Sequence, residues 1–323
     1  MRNLVTGAAG FIGFHLAGRL LADGETVLGI DNLTPYYDPA LKQARLARLR
    51  AHPGFRFIEG DIAVPDIVAA LVRAHPDIAR VYHLAAQAGV RYSVTHPYAY
   101  VHANLMGHVA MLEECRRLTR LEHFVYASSS SVYGGNAKVP FAEADRVDHP
   151  LSLYAATKRA DELISHAFSH LHGIPQTGLR FFTVYGPWGR PDMAYFRFAE
   201  AIVSSQPLTL YDGGTLMRDF TYVEDVIERI IRAGALPPAP DAPRILNIGN
   251  DQAERVDRLV ALLEAGLGKR AVIHHAPRPK ADVPLTLADL TEADALTFPI
   301  PRTSLAEGIA RFVAWFREWR GLG

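Results

Sequence analysis

The chain has 323 residues, 49% hydrophobic and 21% charged, a composition that argues against a disordered chain, a collagen-like repeat and a coiled coil. Lys plus Arg and Asp plus Glu are 34 each, so the formal charge is zero, and no general surface for nucleic acid or anionic membrane is expected. One cysteine, Cys115, excludes an internal disulfide and every cysteine-rich zinc site.

In chain order, short apolar runs alternate with longer helical patterns, the signature of a parallel sheet wrapped by helices. Strands are expected at 3–6, 26–30, 56–59, 80–84, 123–127 and 177–181. Helices are expected near 11–22, 41–50, 66–75, 98–119 and 153–171. In the fourth helix Val101, Leu105, Met106, Val109 and Leu112 read as a core stripe. After residue 185 the rhythm changes: Pro187, Pro191, Pro207 and the Gly213-Gly214 pair interrupt it. The fold class expected is α/β, a Rossmann-type doubly wound parallel sheet with a smaller C-terminal α/β substrate-binding lobe. Residues 1–182, with later returns over about 219–250, should form the dinucleotide domain, and 183–323 mainly the lobe. The sequence opens on the first strand with no apolar leader, and no apolar run reaches about 18 residues, so a soluble cytoplasmic protein is expected.

The first strand runs into Gly7-Ala8-Ala9-Gly10-Phe11-Ile12-Gly13 and then an apolar helix. Gly7 permits a tight turn, Gly10 lets the backbone approach a pyrophosphate, and Gly13 allows close helix–strand packing. The helix N-terminus then offers its N–H groups to phosphate. Asp31, closing the second strand, is placed to accept from adenosine ribose hydroxyls. Its charge would repel a 2′-phosphate, and Asn32-Leu33 supplies no arginine to offset it, so NAD is expected over NADP. A turn role for Asp31 is the alternative. Asp61, read as ending the third strand, could reach the adenine edge.

Tyr154-Ala155-Ala156-Thr157-Lys158 puts a phenol and an ammonium on one helical face. An ammonium favours the phenolate of a nearby tyrosine, which can then move a hydroxyl proton while hydride passes to or from nicotinamide. Upstream, Ser128-Ser129-Ser130-Ser131 follows a strand at the edge where such sheets bind ligands. The serines could equally cap the next segment. No Gly-x-Ser-x-Gly elbow supports a hydrolase. His166 and His170 are spaced i, i+4 without a glutamate, and His274-His275 point to opposite sides of a strand, so no metal is expected.

The combination resembles the extended short-chain dehydrogenase/reductase family. Three stretches, 31–39, 83–93 and 180–193, the last ending Gly186-Pro187-Trp188-Gly189-Arg190-Pro191-Asp192-Met193, resemble its UDP-glucuronate 4-epimerase branch. The likeness covers nearly the whole chain, to about residue 318, and the 186–193 stretch is its most specific part. The resemblance implies Tyr154 as catalytic acid/base, with Lys158 as its electrostatic partner and ribose ligand. Ser129 takes the family's Ser/Thr position, with Ser130 and Ser131 beside it. It implies cofactor contacts from Gly7, Gly10, Phe11, Ile12, Gly13, Asp31, Asn32, Asp61, Ile62, Leu84, Ala85, Ala86, Gln87, Asn104, Lys158 and Phe181. Thr183, Arg190 and Arg218 would meet the substrate nucleotide, Tyr211 the uracil and Asp282 its ribose. Ala281 stands where relatives have glycine.

Arginine forks suit a nucleoside diphosphate bearing a carboxylate. Decarboxylases and 4,6-dehydratases of the family carry an acid beside the Ser/Thr; here stand Ser130 and Ser131, whose hydroxyls can donate to a carboxylate. With Arg91 they are the expected carboxylate holders. The expected reaction is therefore NAD-dependent, reversible 4-epimerisation of a UDP-sugar, UDP-glucuronate first, through a 4-keto intermediate. A neutral UDP-hexose or UDP-pentose and, behind it, decarboxylation are the alternatives. A homodimer is implied by the family, joined through the fourth helix and the Tyr154 helix, and supply of surface polysaccharide is a reasonable setting.

Overall fold

The computed structural model describes residues 2–279 and 282–322. Two compact units emerge: residues 1–134, 146–180 and 227–246 form one, and 135–145, 181–226 and 247–323 the other.

The first unit is built on a seven-stranded sheet. Its elements are β1 (Arg2–Thr6), α1 (Phe11–Ala22), β2 (Thr26–Asp31), α2 (Pro39–Arg50), β3 (Phe55–Glu59), α3 (Pro65–Ala74) and β4 (Ile78–His83). There follow short α4 (Tyr92–Thr95) and α5 (Pro97–Tyr100), a π-helical turn Val101–Met106, α6 (Gly107–Cys115) and β5 (His123–Ser129). A 3-10 turn Ser130–Tyr133, α7 (Leu153–His172) and β6 (Gln176–Phe181) come next. In the sheet β3-β2-β1-β4-β5-β6 lie in sequence, with a later strand at the end beyond β6. The β1–β2, β1–β4, β2–β3 and β4–β5 pairs are all parallel. The chain reverses direction across the sheet between β3 and β4, so the C-terminal ends of β1 and β4 flank the switch point where such sheets bind ligands. Buried Leu4, Leu28, Ile30, Val81, Phe124 and Tyr126 hold the sheet to the helices in one continuous core.

The six strands expected from sequence are present, each within two residues of its expected ends. The helix expected at 98–119 is not one helix. Pro97 restarts it, and the wider π turn breaks the 3.6-residue period. The core stripe is corrected with it: Val101, Met106 and Val109 are exposed, whereas Asn104, His108, Met111 and Cys115 face inward with Leu112. An added residue in a turn rotates every later side chain around the axis, which moved the apolar stripe outward.

The second unit contains β7 (Thr183–Tyr185), α8 (Ala194–Ser204), β8 (Pro207–Tyr211), β9 (Met217–Tyr222) and the start of α9 (Val223–Gly234). After β10 (Arg244–Ile248), the seventh strand of the large sheet, come β11 (Ala253–Arg255), α10 (Val256–Leu267), β12 (Val272–Ala276), α11 (Thr291–Thr297) and α12 (Leu305–Arg320). Strands β11-β9-β7 form one small sheet and β12-β8 another. On α12, Phe312 and Phe316 are fully buried against Phe196 of α8, and each such ring contributes about 1.5–3 kcal/mol of burial. Among the described residues no helix is long and apolar enough to cross a membrane.

Candidate active site

The glycine loop is shaped by space as much as by dihedral angle. Gly7 has φ +69°, and a Cβ there would lie 2.9 Å from the Ala85 nitrogen, so the loops after β1 and β4 touch at this point. A Cβ on Gly13 would collide with the Gly7 carbonyl oxygen. At the N-cap of α1 stands Gly10, with no side chain to occupy the first N–H groups and no acid in the first turn. Those donors, with the positive end of the helix dipole, suit a pyrophosphate.

Asp31 ends β2 and is 7% exposed. Its carboxylate accepts from Ala9 N at 3.2 Å and Leu33 N at 2.8 Å, which aims it beside the glycine loop. Lys42 Nζ lies 3.4 Å from Asp31 Oδ1, both side chains being buried. So although Asn32 and Leu33 bring no cation, α2 does, eleven residues on. Arg45, one turn later, is fully buried and donates to Ala9 O and to Tyr37 OH. Asp61 lies two residues past the end of β3, in the following turn rather than in the strand. Burial pushes its carboxyl up, but the Ala63 N–H and the Asn32 amide outweigh that and hold it below the ordinary range. Ile62 packs into the core, close under Gly107.

After β4, Leu84, Ala85, Ala86 and Gln87 run along the switch point. Thr6 Oγ1 accepts from Ala85 N at 3.0 Å. Asn104 clamps Gln87 by its backbone: Oδ1 accepts from Gln87 N at 2.8 Å, and Nδ2 donates to Gln87 O at 3.1 Å. Nδ2 also donates to Thr157 Oγ1 on α7. The π turn is what points this buried amide at both segments.

α7 is capped by Ser152, whose hydroxyl accepts from Ala155 N at 3.1 Å, a contact that fixes where Tyr154 sits. Tyr154 is part-exposed with its ring edge-on to Tyr100. Lys158 is buried, donating to Ala127 O and to Asp161 Oδ2, each at 3.0 Å. Burial pushes the Asp161 carboxyl up to about 6 against the pull of the Lys158 ammonium. α7 packs on β5 and on the 3-10 turn that carries Ser130 and Ser131. Ser129 Oγ accepts from Ser131 N at 3.1 Å, so one of its roles is to cap that turn. Ser130 and Ser131 are part-exposed. Arg91 is exposed at the start of α4.

Behind these groups lies a network that the motifs did not indicate. Glu162 receives Ser128 Oγ at 2.6 Å and a two-pronged Arg180 at 2.8 and 2.9 Å, and Arg180 continues to Tyr133 OH. The signal was present, since Glu162 lies one helical step beyond Lys158. His83 and His108 are fully enclosed and neutral, His83 pushed down to about 3 by burial and then by Lys158.

In the second unit Phe181 is buried at the end of β6 and Thr183 opens β7. Arg190 lies in the loop whose Trp188 (φ +59°) packs on Trp315 and Trp319 of α12. It holds Asp192 by two prongs, at 3.0 and 2.8 Å. Tyr211 ends β8 opposite Ala276. The structure joins Arg218 to Asp282, with Nη2 at 2.5 Å from Oδ1. Lys280 and Ala281, the substituted glycine position, lie outside the described residues. Asp219, next to Arg218 and buried, accepts from Asn250 N, Asp251 N, Ala288 N and Thr221 Oγ1, tying β9 to two neighbouring segments.

A glycine cradle, an uncapped helix end and a buried carboxylate beside it fit a dinucleotide, while the tyrosine–lysine pair fits hydroxyl oxidation. The fold is that of the Rossmann-type, NAD-binding epimerases, and the chain belongs to the NAD dependent epimerase/dehydratase family, whose model matches residues 3–249. It is 46% identical to a probable UDP-glucuronate 4-epimerase of Rhizobium meliloti (strain 1021), over 98% of this chain and 97% of that protein. The solved UDP-glucuronic acid 4-epimerase from Bacillus cereus, in complex with UDP-glucuronic acid and NAD, superposes with TM-score 0.91 at 34% identity, covering 99% of this chain and all of the other. The UDP-glucose 4-epimerase of Thermotoga maritima, with UDP-glucose, gives 0.89 at 29% identity, covering 99% of this chain and all of the other.

Proposed function

We propose that the protein is an NAD-dependent UDP-glucuronate 4-epimerase, interconverting UDP-glucuronate and UDP-galacturonate. The observation that carries the reading is the intact Tyr154–Lys158 pair on α7, packed beside a turn bearing Ser130 and Ser131 where decarboxylating and dehydrating relatives carry an acid.

Bound NAD would supply the hydride-transfer chemistry at C4. The chain supplies the rest. Tyr154 takes the C4 hydroxyl proton as the 4-keto sugar forms and returns it when hydride comes back to the opposite face. Lys158, fixed by Ala127 O and Asp161, holds a positive charge near that phenol and a donor for the nicotinamide ribose. Gly7, Gly10 and Gly13 admit the pyrophosphate, and Asp31 accepts from the adenosine ribose. Leu84, Ala85, Ala86 and Gln87, clamped by Asn104, line the nicotinamide side. Ser130, Ser131 and Arg91 hold the carboxylate. That hold has a second purpose, because a 4-keto uronate is a β-keto acid and loses carbon dioxide if its carboxylate bond aligns with the carbonyl π system. Thr183, Arg190, Tyr211, Arg218 and Asp282 take the UDP.

The assembly is a homodimer. Tyr98, Val101, Met106 and Val109, with Leu163 on α7, are exposed apolar side chains on the α5–α6 and α7 segments, and a second copy is the partner that would cover them. The setting is cytoplasmic supply of uronate for surface polysaccharide. Light scattering of the purified protein tests the dimer. The activity is tested by proton NMR of the protein with UDP-glucuronate and no added cofactor. Growth of UDP-galacturonate to a stable ratio is expected. UDP-xylose as product overturns the reading of the serines, and turnover of UDP-glucose alone replaces the substrate with a neutral sugar.

A further inference from the structure

The buried network behind Tyr154 has no role in the chemistry above. Glu162 lies one helical turn beyond Lys158, so Tyr154, Lys158 and Glu162 fall on one stripe of α7. The side chains of Glu162 and Arg180 are each 2% exposed, and they meet through a fork of 2.8 and 2.9 Å. Burial pushes the Glu162 carboxyl up, but Arg180, Ser128 and Arg159 outweigh that and hold it below the ordinary range. A buried ion pair adds little stability, because desolvation consumes most of its attraction. What it supplies is fixed geometry, since a planar fork on a carboxylate tolerates little rotation.

The partners of the pair are the segments that carry the site. Ser128 Oγ donates to Glu162 at 2.6 Å from the end of β5, between Ala127, whose carbonyl holds Lys158, and Ser129. Arg180 Nη1 donates to Tyr133 OH at 3.1 Å, and its guanidinium lies 4.9 Å from the centre of that ring. Tyr133 is the last residue of the 3-10 turn that presents Ser130 and Ser131. One buried path therefore runs from the helix of Tyr154 to both ends of the serine turn.

We propose that Glu162 and Arg180 are positioning residues that set product selectivity. Through Ser128 and Tyr133 they hold the Ser130-Ser131 turn in one place relative to Tyr154, which keeps the substrate carboxylate out of line with the C4 carbonyl until hydride returns. The inference rests on the UDP-glucuronate reading. If the turn drifts, the C5–C6 bond breaks and carbon dioxide leaves. The electron pair passes into the C4 carbonyl as an enolate, and solvent protonates C5 to give a UDP-4-ketopentose. That product either takes the hydride back as a UDP-pentose or departs, leaving one reduced nicotinamide on the protein.

The test is proton NMR with UDP-glucuronate in deuterated water, where deuterium at C5 marks every decarboxylated product. The quantity read is the ratio of these pentoses to UDP-galacturonate. Tyr133→Phe keeps the ring against Arg180 and removes only the hydroxyl, so the ratio should rise about tenfold while the epimerisation kcat stays within a few-fold. Arg180→Lys, which keeps the charge and loses the fork, should raise it further. Arg159→Gln removes the Arg159 bond to Glu162 at 3.0 Å, which lies outside the path from Glu162 to the turn, and should leave the ratio unchanged. Unfolding midpoints are read alongside. A wild-type ratio in Tyr133→Phe overturns the proposal, as does an equal rise in Arg159→Gln or a ratio that follows the midpoint in all three variants. Wild-type protein that leaves UDP-glucuronate untouched would sink the substrate reading itself, a different failure.

Discussion

Asn104 and Thr157 are joined by a 2.9 Å hydrogen bond between the π turn and α7, one residue before Lys158. Because the same amide brackets Gln87 on both its backbone groups, the loop after β4 and the catalytic helix share a single fixed point. Thr157 Oγ1 in turn donates to Tyr154 O at 2.8 Å.

Asn104→Ala should therefore cost more than its size suggests. It leaves the Gln87 N–H and C=O without these partners in a buried setting, at about 1–3 kcal/mol for such groups. A lower unfolding midpoint is expected together with less NAD retained through purification, measured by absorbance of the acid-released nucleotide. Thr157→Val, which keeps the Gln87 clamp, should lose much less of both. Equal losses in the two variants would mean that the α7 link, not the loop, is what matters.

Tyr154→Phe keeps the ring and its edge contact with Tyr100 while removing the proton carrier. Loss of general acid–base assistance predicts kcat lower by about 10²–10⁴ with KM for UDP-glucuronate within a few-fold. Single-turnover absorbance at the reduced-nicotinamide band checks which half of the reaction is slowed. A variant within tenfold of wild type would remove Tyr154 from the mechanism.

Much of this was readable from the chain and some was not, for physical reasons. Strands buried on both faces show as apolar runs, and glycines at 7, 10 and 13 can be placed because backbone approach admits little else. Lys42 and Arg45 could not be placed, since charged residues on a helix ordinarily face water and only the fold shows that this face turns inward. The family resemblance points to Asn104 as cofactor support, but the π turn that aims it leaves no mark in hydrophobic spacing, and the same turn carries Val101, Met106 and Val109 out of the core stripe that the spacing predicts. In the second unit Pro207 and the Gly213-Gly214 pair mark interruptions, so β8 and β9 lack the apolar runs that disclosed the large sheet.

Asp161 gives a stability signature with a definite sign. Its folded-state pKa of about 6 lies above that of an exposed carboxyl, because burial opposes ionisation more than Lys158 favours it. Between roughly pH 4 and 6 the folded chain thus holds a proton that the unfolded chain has lost, and this group's contribution is full below that window and lost as pH rises through it. Asp161→Asn removes the titration. The unfolding midpoint of the variant relative to wild type should climb between pH 4 and pH 6.5 and level off above. A flat difference would mean that Lys158 keeps Asp161 ionised throughout.

Arg218 tests the nucleotide assignment in the second unit. Its guanidinium is held between Met217 O at 2.8 Å and Asp282 at 2.5 Å, so it is set in one orientation before any substrate arrives. A planar fork pre-aimed in this way can grip a diphosphate by two parallel bonds, which a lysine ammonium cannot reproduce. Arg218→Lys keeps the charge and loses the fork, so KM for UDP-glucuronate should rise about ten- to a hundredfold while kcat changes little. UDP alone, titrated as an inhibitor, should weaken by the same factor, because the lost contact is to the nucleotide and not to the sugar. If UDP binding is unchanged while kcat falls, Arg218 acts on the reacting sugar and the nucleotide must be held by Arg190 and Tyr211 without it.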